Sequence, residues 1–371
     1  MIILITLNHI HKFRFWIEGV LLTTVGTIGL IGNIASIIVL SQSQMKNSFN
    51  QLLIVLATFD STFIILAIVK YAIFCAFDWS NPIAITLYHY SFPYMRYFVN
   101  PLASISINSS IFTTVALSYE RHNALCNPIQ HRQARAKYSV ERRTLSYAIP
   151  ILLMAIPLYI LKWLENKYVW IPVKSNSINL NEAEAETKYK MQGWDESELL
   201  KNPDYILYYG NWTKLLTTGL IPFVALVYFN YGIFRHIKKN NDERSRLFAH
   251  KRNVQEKNKE KASEMNLAMI LLCIAIVFLV CHFLRIALNV IKNFMHSVFL
   301  ACGYPNWIIC LDCVSNFLCV INSSVNFLIY VSVGKDFKKT IKKYCQCTAF
   351  TSKYFTKPSN DLPVIIKAKN I

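Results

Sequence analysis

Seven stretches of this 371-residue chain stay apolar for about twenty residues or more: 17–40, 50–76, 92–117, 144–164, 211–237, 264–291 and 307–333. Hydrocarbon offers no water to a peptide group, so a segment of that length and character crosses a bilayer as a helix, with its backbone bonds closed internally. The expected fold is therefore an all-α integral membrane protein, a seven-transmembrane helix bundle. A soluble bundle is excluded by its surface. The chain is 54% hydrophobic and only 16% charged, against about 25% charged in soluble domains, which leaves too little polar surface to cover seven such helices.

Lysine and arginine orient the bundle. With residues 1–16 placed outside, the cytosolic segments 41–49, 121–143, 235–263 and 334–371 carry 26 of these residues, and the opposite segments carry 10. Cytosolic loops collect basic residues, so the amino terminus is expected outside and the flexible tail 348–371 in the cytosol. The net charge of +18 then reports topology and attraction to anionic lipid. Basic residues scattered over separate loops make no nucleic-acid surface. The opening "MIILITLNHI" lacks the charged start and cleavage site of a signal peptide, so the first span is expected to insert itself. No nucleotide loop, assembled nucleophile–base pair or metal-spaced histidine set points to an enzyme.

Ionisable side chains inside a span are costly and mark function. Asp60, in "IVLATFDSTFIILA", lies near mid-membrane. Asn33, Ser110, Asn322, Ser323 and Asn326 fall at similar depth on other spans, so a polar core is expected, with oxygens suited to a sodium ion at Asp60. Glu120 and Arg121 close the third span at the cytosolic boundary. Arg121 can pair with Glu120 or reach Glu264 at the start of the sixth span, and such a clasp would act as a two-state latch. Near the outer face, Asp312 and Arg285 can pair with each other or each face a ligand. The outer loop 162–209 is long, with eight acids, six lysines and Trp163, Trp170 and Trp194. An acidic, aromatic rim suits a peptide bearing arginine and phenylalanine. Glu165, Asp312 and Arg285 are the candidate ligand-binding residues, with Tyr94 and Trp307 at the rim. Asn211, in "NWT", is the candidate glycosylation site.

Motifs spread along the chain carry a resemblance: "GN" in the first span, "LATFD" in the second, "ERH" closing the third, Pro222 in the fifth and "NFLIY" ending the seventh. Together they resemble the rhodopsin-like G-protein-coupled receptors. The stretches "MKNSFNQLLIVLATFD", "MILLCIAIVF" and "INSSVNFLIY" are similar to invertebrate FMRFamide-type neuropeptide receptors. The resemblance implies an extracellular peptide ligand and a heterotrimeric G protein as partners, activated by outward movement of the sixth span. It also implies Arg121 and Tyr330 as activation switches, and a short amphipathic helix over 334–347 on the cytosolic membrane surface, with Cys345 and Cys347 as lipidation candidates.

The chain departs from that pattern at several positions. Phe327 replaces the seventh-span proline, His282 replaces the sixth-span tryptophan, and the sixth-span proline is absent. Arg96 stands where most relatives place a disulfide cysteine, and the loop 162–209 has no cysteine to match. Ala103, where amine receptors carry an aspartate, sets that ligand class aside. A chemosensory receptor for small external molecules is the alternative of the same fold. A transporter is disfavoured because no inverted repeat is evident.

Overall fold

The computed structural model describes residues 9–76, 94–172, 190–247, 255–295, 298, 303–334 and 337–343. The first apolar stretch lies in α1, His9–Leu40, and the second in α2, Ser48–Ala76. Asn100–Cys126 forms α3, entered through a π-type turn at Met95–Val99 and with Pro101 in its first turn, where a missing amide costs nothing. A short helix, Pro128–Lys137, precedes α4, Val140–Leu164. The Ser139 side chain caps α4 by accepting the Arg142 amide, which satisfies one of the four open amides at a helix start.

Beyond α4 the chain turns into an antiparallel hairpin, β1 (Asn166–Pro172) paired with β2 (Lys190–Glu196) and Tyr168 opposite Trp194. Two π-type stretches, Tyr205–Thr213 and Leu215–Leu220, lead into α5, Ile221–Leu247. Helix α6 runs unbroken from Gln255 to Phe294. Helix α7, Asn306–Ser324, stops at Val325 and resumes as Asn326–Val333, and residues 337–343 are again helical. The hairpin marks one end of the bundle; the α1–α2 turn and the short helix before α4 mark the other.

Six of these helices are long and apolar enough to cross a membrane by length and composition. The exception is α3, which packs against α2, α4, α5 and α6 and buries Ser106, Asn108, Ser109, Ser110, Thr113, Thr114 and Ser118. A helix so enclosed presents little surface to lipid and can be polar. Its hydroxyls bond back to carbonyls four residues earlier, as Thr113 does to Ser109 and Ser118 to Thr114. The outward faces of the other helices are apolar, with Ile28, Ile31, Leu153, Val224 and Phe283 exposed.

The core fills in two parts. One, toward the end opposite the hairpin, gathers Phe49, Leu52, Leu56, Leu117, Ile233, Leu271 and Tyr330, with Phe337 from the last helical segment. The other gathers Phe63, Ile107, Ile111, Leu226, Phe278 and Val320. Small residues let α1 close on α7: a Cβ on Gly29 would lie 2.7 Å from Ser324 Cα, and one on Gly32 would lie 2.9 Å from Phe327 Cβ. Close backbone approach of this kind drives helix association in lipid, where no hydrophobic force separates helix from tail.

Gly29→Ala should therefore destabilise the bundle by about 1–3 kcal/mol, the usual cost of overpacking. Gly210→Ala, whose new methyl would meet nothing closer than 3.8 Å, should leave stability unchanged. Thermal denaturation of the two purified variants in detergent separates them; equal midpoints would refute the α1–α7 contact.

Candidate functional site

Asp60 has no exposed surface. Ser110 donates to its Oδ1 at 2.6 Å from α3, and Asn326 Nδ2 donates to its Oδ2 at 2.7 Å from beyond the α7 break. Ser323 adds a further hydrogen bond, and Asn33 Nδ2 on α1 donates to the Ser323 carbonyl at 3.0 Å. One carboxylate thus ties α2 to α3 and α7, with α1 attached through Ser323. Asn322 is buried nearby in sequence but makes none of these bonds. Asp60 has no cationic partner among the described residues; its partners are neutral donors.

The end opposite the hairpin is built around Glu120. Arg143 Nη2 approaches its Oε1 at 2.9 Å, His131 Nε2 lies 3.2 Å from Oε1, and the Tyr147 hydroxyl donates to Oε2 at 2.8 Å. Burial alone would raise this carboxyl, which lies three residues past the third apolar stretch. The bonds from His131 and Tyr147 and the Arg143 charge overcome that and hold it at about 2, so it stays ionised at neutral pH. The expected pairing of Glu120 with Arg121 does not form. Successive helical residues point about 100° apart. Glu120 faces α4 and the short helix before it, and Arg121 turns to α2, with its guanidinium 3.8 Å from the centroid of the Phe49 ring. The Glu264 side chain, and with it the Arg121–Glu264 clasp, lies outside the described residues. So do Cys345 and Cys347. Tyr330 is fully buried beside Phe337, with 5.7 Å between ring centroids.

At the hairpin end the helices part around a cavity of about 140 Å³, lined among others by Asn108, Lys162, Lys214, His282, Arg285 and Lys292. Arg285 and Asp312 do not pair. Lys292 on α6 takes both Asp312 oxygens at 2.7 Å, because it stands two helical turns nearer the hairpin end than Arg285 does. Arg285 Nη1 donates instead to Cys319 Sγ at 3.1 Å. His282 stacks on Phe278, centroids 4.3 Å apart. Glu165 ends α4 and accepts the Tyr205 hydroxyl at 3.1 Å. Tyr94 and Trp307 are 55% and 51% exposed and line neither cavity at this end. Asn211 is half-buried in a helical turn and lines the cavity.

Sequence reasoning passed over Glu18. It is 1% exposed, held by Arg14 Nε at 3.2 Å and by Asn316 Nδ2 at 3.1 Å from α7. The rule that singled out Asp60 would have found it, since Glu18 is a carboxylate inside the stretch 17–40. Lys292 and Arg143 carried no comparable sign, because each sits at the margin of an apolar stretch where a basic residue is commonplace.

Residues 21–348 match the model of the serpentine type 7TM GPCR chemoreceptor family Srw. The chain is 31% identical over 329 residues to the FMRFamide receptor of Drosophila melanogaster, an alignment covering 89% of this chain and 54% of that one. It is 23% identical over 322 residues to the FMRFamide peptide receptor frpr-18 of Caenorhabditis elegans, covering 85% and 66%. A third relative, the sex peptide receptor of Drosophila melanogaster, is 24% identical over 238 residues, covering 63% and 51%. The chain spans about half to two thirds of the length of these relatives.

The Asp60 geometry makes an exchange informative. Asn326→Asp sets a second carboxylate 2.7 Å from the first, and Asp60→Asn removes the charge that Ser110 and Asn326 solvate. Each single variant should lower the unfolding midpoint, by about 1–3 kcal/mol in free energy. The double exchange restores one donor facing one acceptor and should recover most of the loss. Additive losses in the double variant, read by thermal unfolding in lipid nanodiscs, would show that the two side chains do not interact.

Proposed function

Because the chain belongs to the Srw family of serpentine seven-transmembrane G-protein-coupled receptors, a family of multi-pass membrane proteins, we propose that it is a plasma-membrane neuropeptide receptor of the rhodopsin-like class. In this reading it takes a short amidated FMRFamide-like peptide outside and activates a heterotrimeric G protein inside. The hairpin end then faces outward and the Glu120 end faces the cytosol, as the lysine and arginine distribution expects. Helix α3 is the remaining span, kept from lipid by its neighbours. The helical residues 337–343 would belong to the amphipathic surface helix expected over 334–347.

The observation that carries the reading is the 31% identity to the FMRFamide receptor across 89% of this chain. The bundle supports it physically. A cavity opens among the outward ends of α3 to α6, Asp60 crosses its middle, and a charged cluster closes its cytosolic end. In an activated state α6 would swing away from α3 as a straight rod, since it has no proline at which to bend. Arg121, now over Phe49, would be released to the G protein. The oxygens of Asp60, Ser110 and Ser323 would hold a sodium ion in the resting state and offset a charge that no cation of the described bundle meets.

A second reading rests on the chemoreceptor description of the matching family: the same bundle would sense a small external solute. Cells expressing the chain, challenged with a panel of amidated peptides ending in Arg-Phe-amide and read by G-protein activation, decide between the two. Submicromolar responses to peptides are expected, lost in Arg121→Ala at unchanged surface delivery. Responses confined to small solutes would establish the second reading and overturn the first. Replacing external sodium by N-methylglucamine should raise agonist affinity in the parent and leave Asp60→Asn unaffected; equal shifts in both would remove sodium from the account.

A further inference from the structure

The loop expected to cover the ligand is acidic, yet the cavity beneath it is basic. Four cationic side chains, Lys162, Lys214, Arg285 and Lys292, line the cavity, and no carboxylate does. Lys162 and Arg285, joined by Lys70, also line an adjoining cavity of about 150 Å³ that again lacks an acid. Lys292 is neutralised by Asp312. Glu165 acts electrostatically on both Lys162 and Lys214, and Glu18 is bonded to Asn316 in the wall of the adjoining cavity. Among the described residues Arg285 has no carboxylate partner: it donates to the Cys319 sulfur, a weak acceptor for a group with five donors.

Two neutral donors of the wall point the same way, while a third unmatched atom, Asn108 Oδ1, is an acceptor. His282 is 3% exposed and Asn293 is 7% exposed, and both line the cavity. Neither His282 Nε2 nor Asn293 Nδ2 has a hydrogen-bond partner among the described residues. An amide nitrogen can only donate, and an imidazole nitrogen can donate in one of its tautomers. Cations and unmatched donors around one space call for an anionic acceptor, because charge-assisted bonds are the stronger ones.

We propose that this cavity binds a carboxylate of the peptide ligand, with Arg285 and Lys214 supplying the counter-charge. The proposal rests on the peptide-receptor reading and adds the sign of the ligand group that reaches the floor. An amidated peptide has no terminal carboxylate, so its acid would be an aspartate or glutamate side chain. A peptide with a free carboxyl terminus would offer the other source of the same group.

Full-length receptor in nanodiscs, incubated with two random synthetic peptide libraries, one amidated and one with free carboxyl termini, tests this. In the amidated library, bound peptides should be enriched in Asp and Glu by about tenfold or more over input, the worth of one charge-assisted pair. In the free-acid library that enrichment should weaken if the terminus itself occupies the site, and persist if only a side chain fits. Arg285→Gln combined with Lys214→Gln should abolish the preference, and Arg285→Lys should retain it. Acid content equal to input in both libraries, no retention above empty nanodiscs, or an unchanged preference in the double variant would each overturn the proposal. The parent receptor alone supplies the first two outcomes, so a variant that fails to fold does not blunt the test. Failure of the selected peptides to activate a G protein would instead sink the receptor reading while leaving the carboxylate preference standing.

Discussion

A polar atom sunk in this bundle can bond only to another part of the bundle, and that constraint organises the molecule. Asp60 accepts from two other helices because nothing else is within reach. Each polar contact between helices answers the same need: Asn108 to the Tyr159 hydroxyl joins α3 to α4 at 2.7 Å, Asn230 to Ser118 joins α5 to α3 at 3.3 Å, and Glu18 to Asn316 joins α1 to α7. Such bonds are worth about 0.6 kcal/mol each on average, and rarely more than about 2. Their main effect is on register, since a helix that slid by one turn would strand all of its polar partners together. Packing then supplies the rest of the cohesion, through close approaches such as Gly29 against Ser324.

How much of this was legible in the sequence depends on whether the deciding quantity is local. The positions of the six long apolar helices were legible because lipid imposes a length and a composition on a crossing segment. Helix ends were less so: α2 begins at Ser48 and α6 at Gln255, beyond the apolar stretches, because a helix needs no hydrocarbon once it is nucleated. The membership of the Asp60 core was readable from depth alone for Ser110, Ser323 and Asn326. Asn33 was placed one bond further out, since depth carries no information about rotation around the helix. The hairpin 166–196 was not anticipated. Its strands mix lysine, tryptophan and glycine without alternation, and their pairing is set by two partners separated in sequence. The same blindness to rotation explains Glu120 and Arg121. Adjacency in sequence suggested a pair, but adjacency on a helix guarantees different faces.

The two ends of the bundle solve opposite electrostatic problems. At the Glu120 end a buried carboxylate is surrounded by Arg143, His131 and the Tyr147 hydroxyl, so local charge is nearly balanced and the short helix before α4 is held against α3. At the hairpin end cations outnumber acids within the cavity walls. Asp312 would have been the natural counter-charge, but it lies on the first turns of α7 and is engaged by Lys292. The cavity floor is left with a charge of one sign. The balanced end has no need of an outside partner to be stable, whereas the unbalanced end gains from one.

Helix α6 connects these ends, and its composition determines how a ligand could be felt across it. Arg285 and His282 stand at the cavity, and one turn below them Phe278 belongs to the apolar core shared with Ile111, Leu226 and Val320. The stacking of His282 on Phe278 couples the rotamer of a cavity-wall side chain to that core. A proline-kinked helix can absorb such a displacement at its bend; a continuous one of forty residues cannot, and must tilt or rotate as a whole. Helix α7 is broken at Val325. Ser323, just before it, and Asn326, just past it, are both bonded to Asp60, so α2 holds α7 on both sides of the break. On this geometry α6 would move as one body, while α7 is anchored at its break by Asp60. A ligand that draws Arg285 toward itself would act on the Glu120 end through α6, leaving the Asp60 core to hold α2, α3 and α7 as the frame against which it moves.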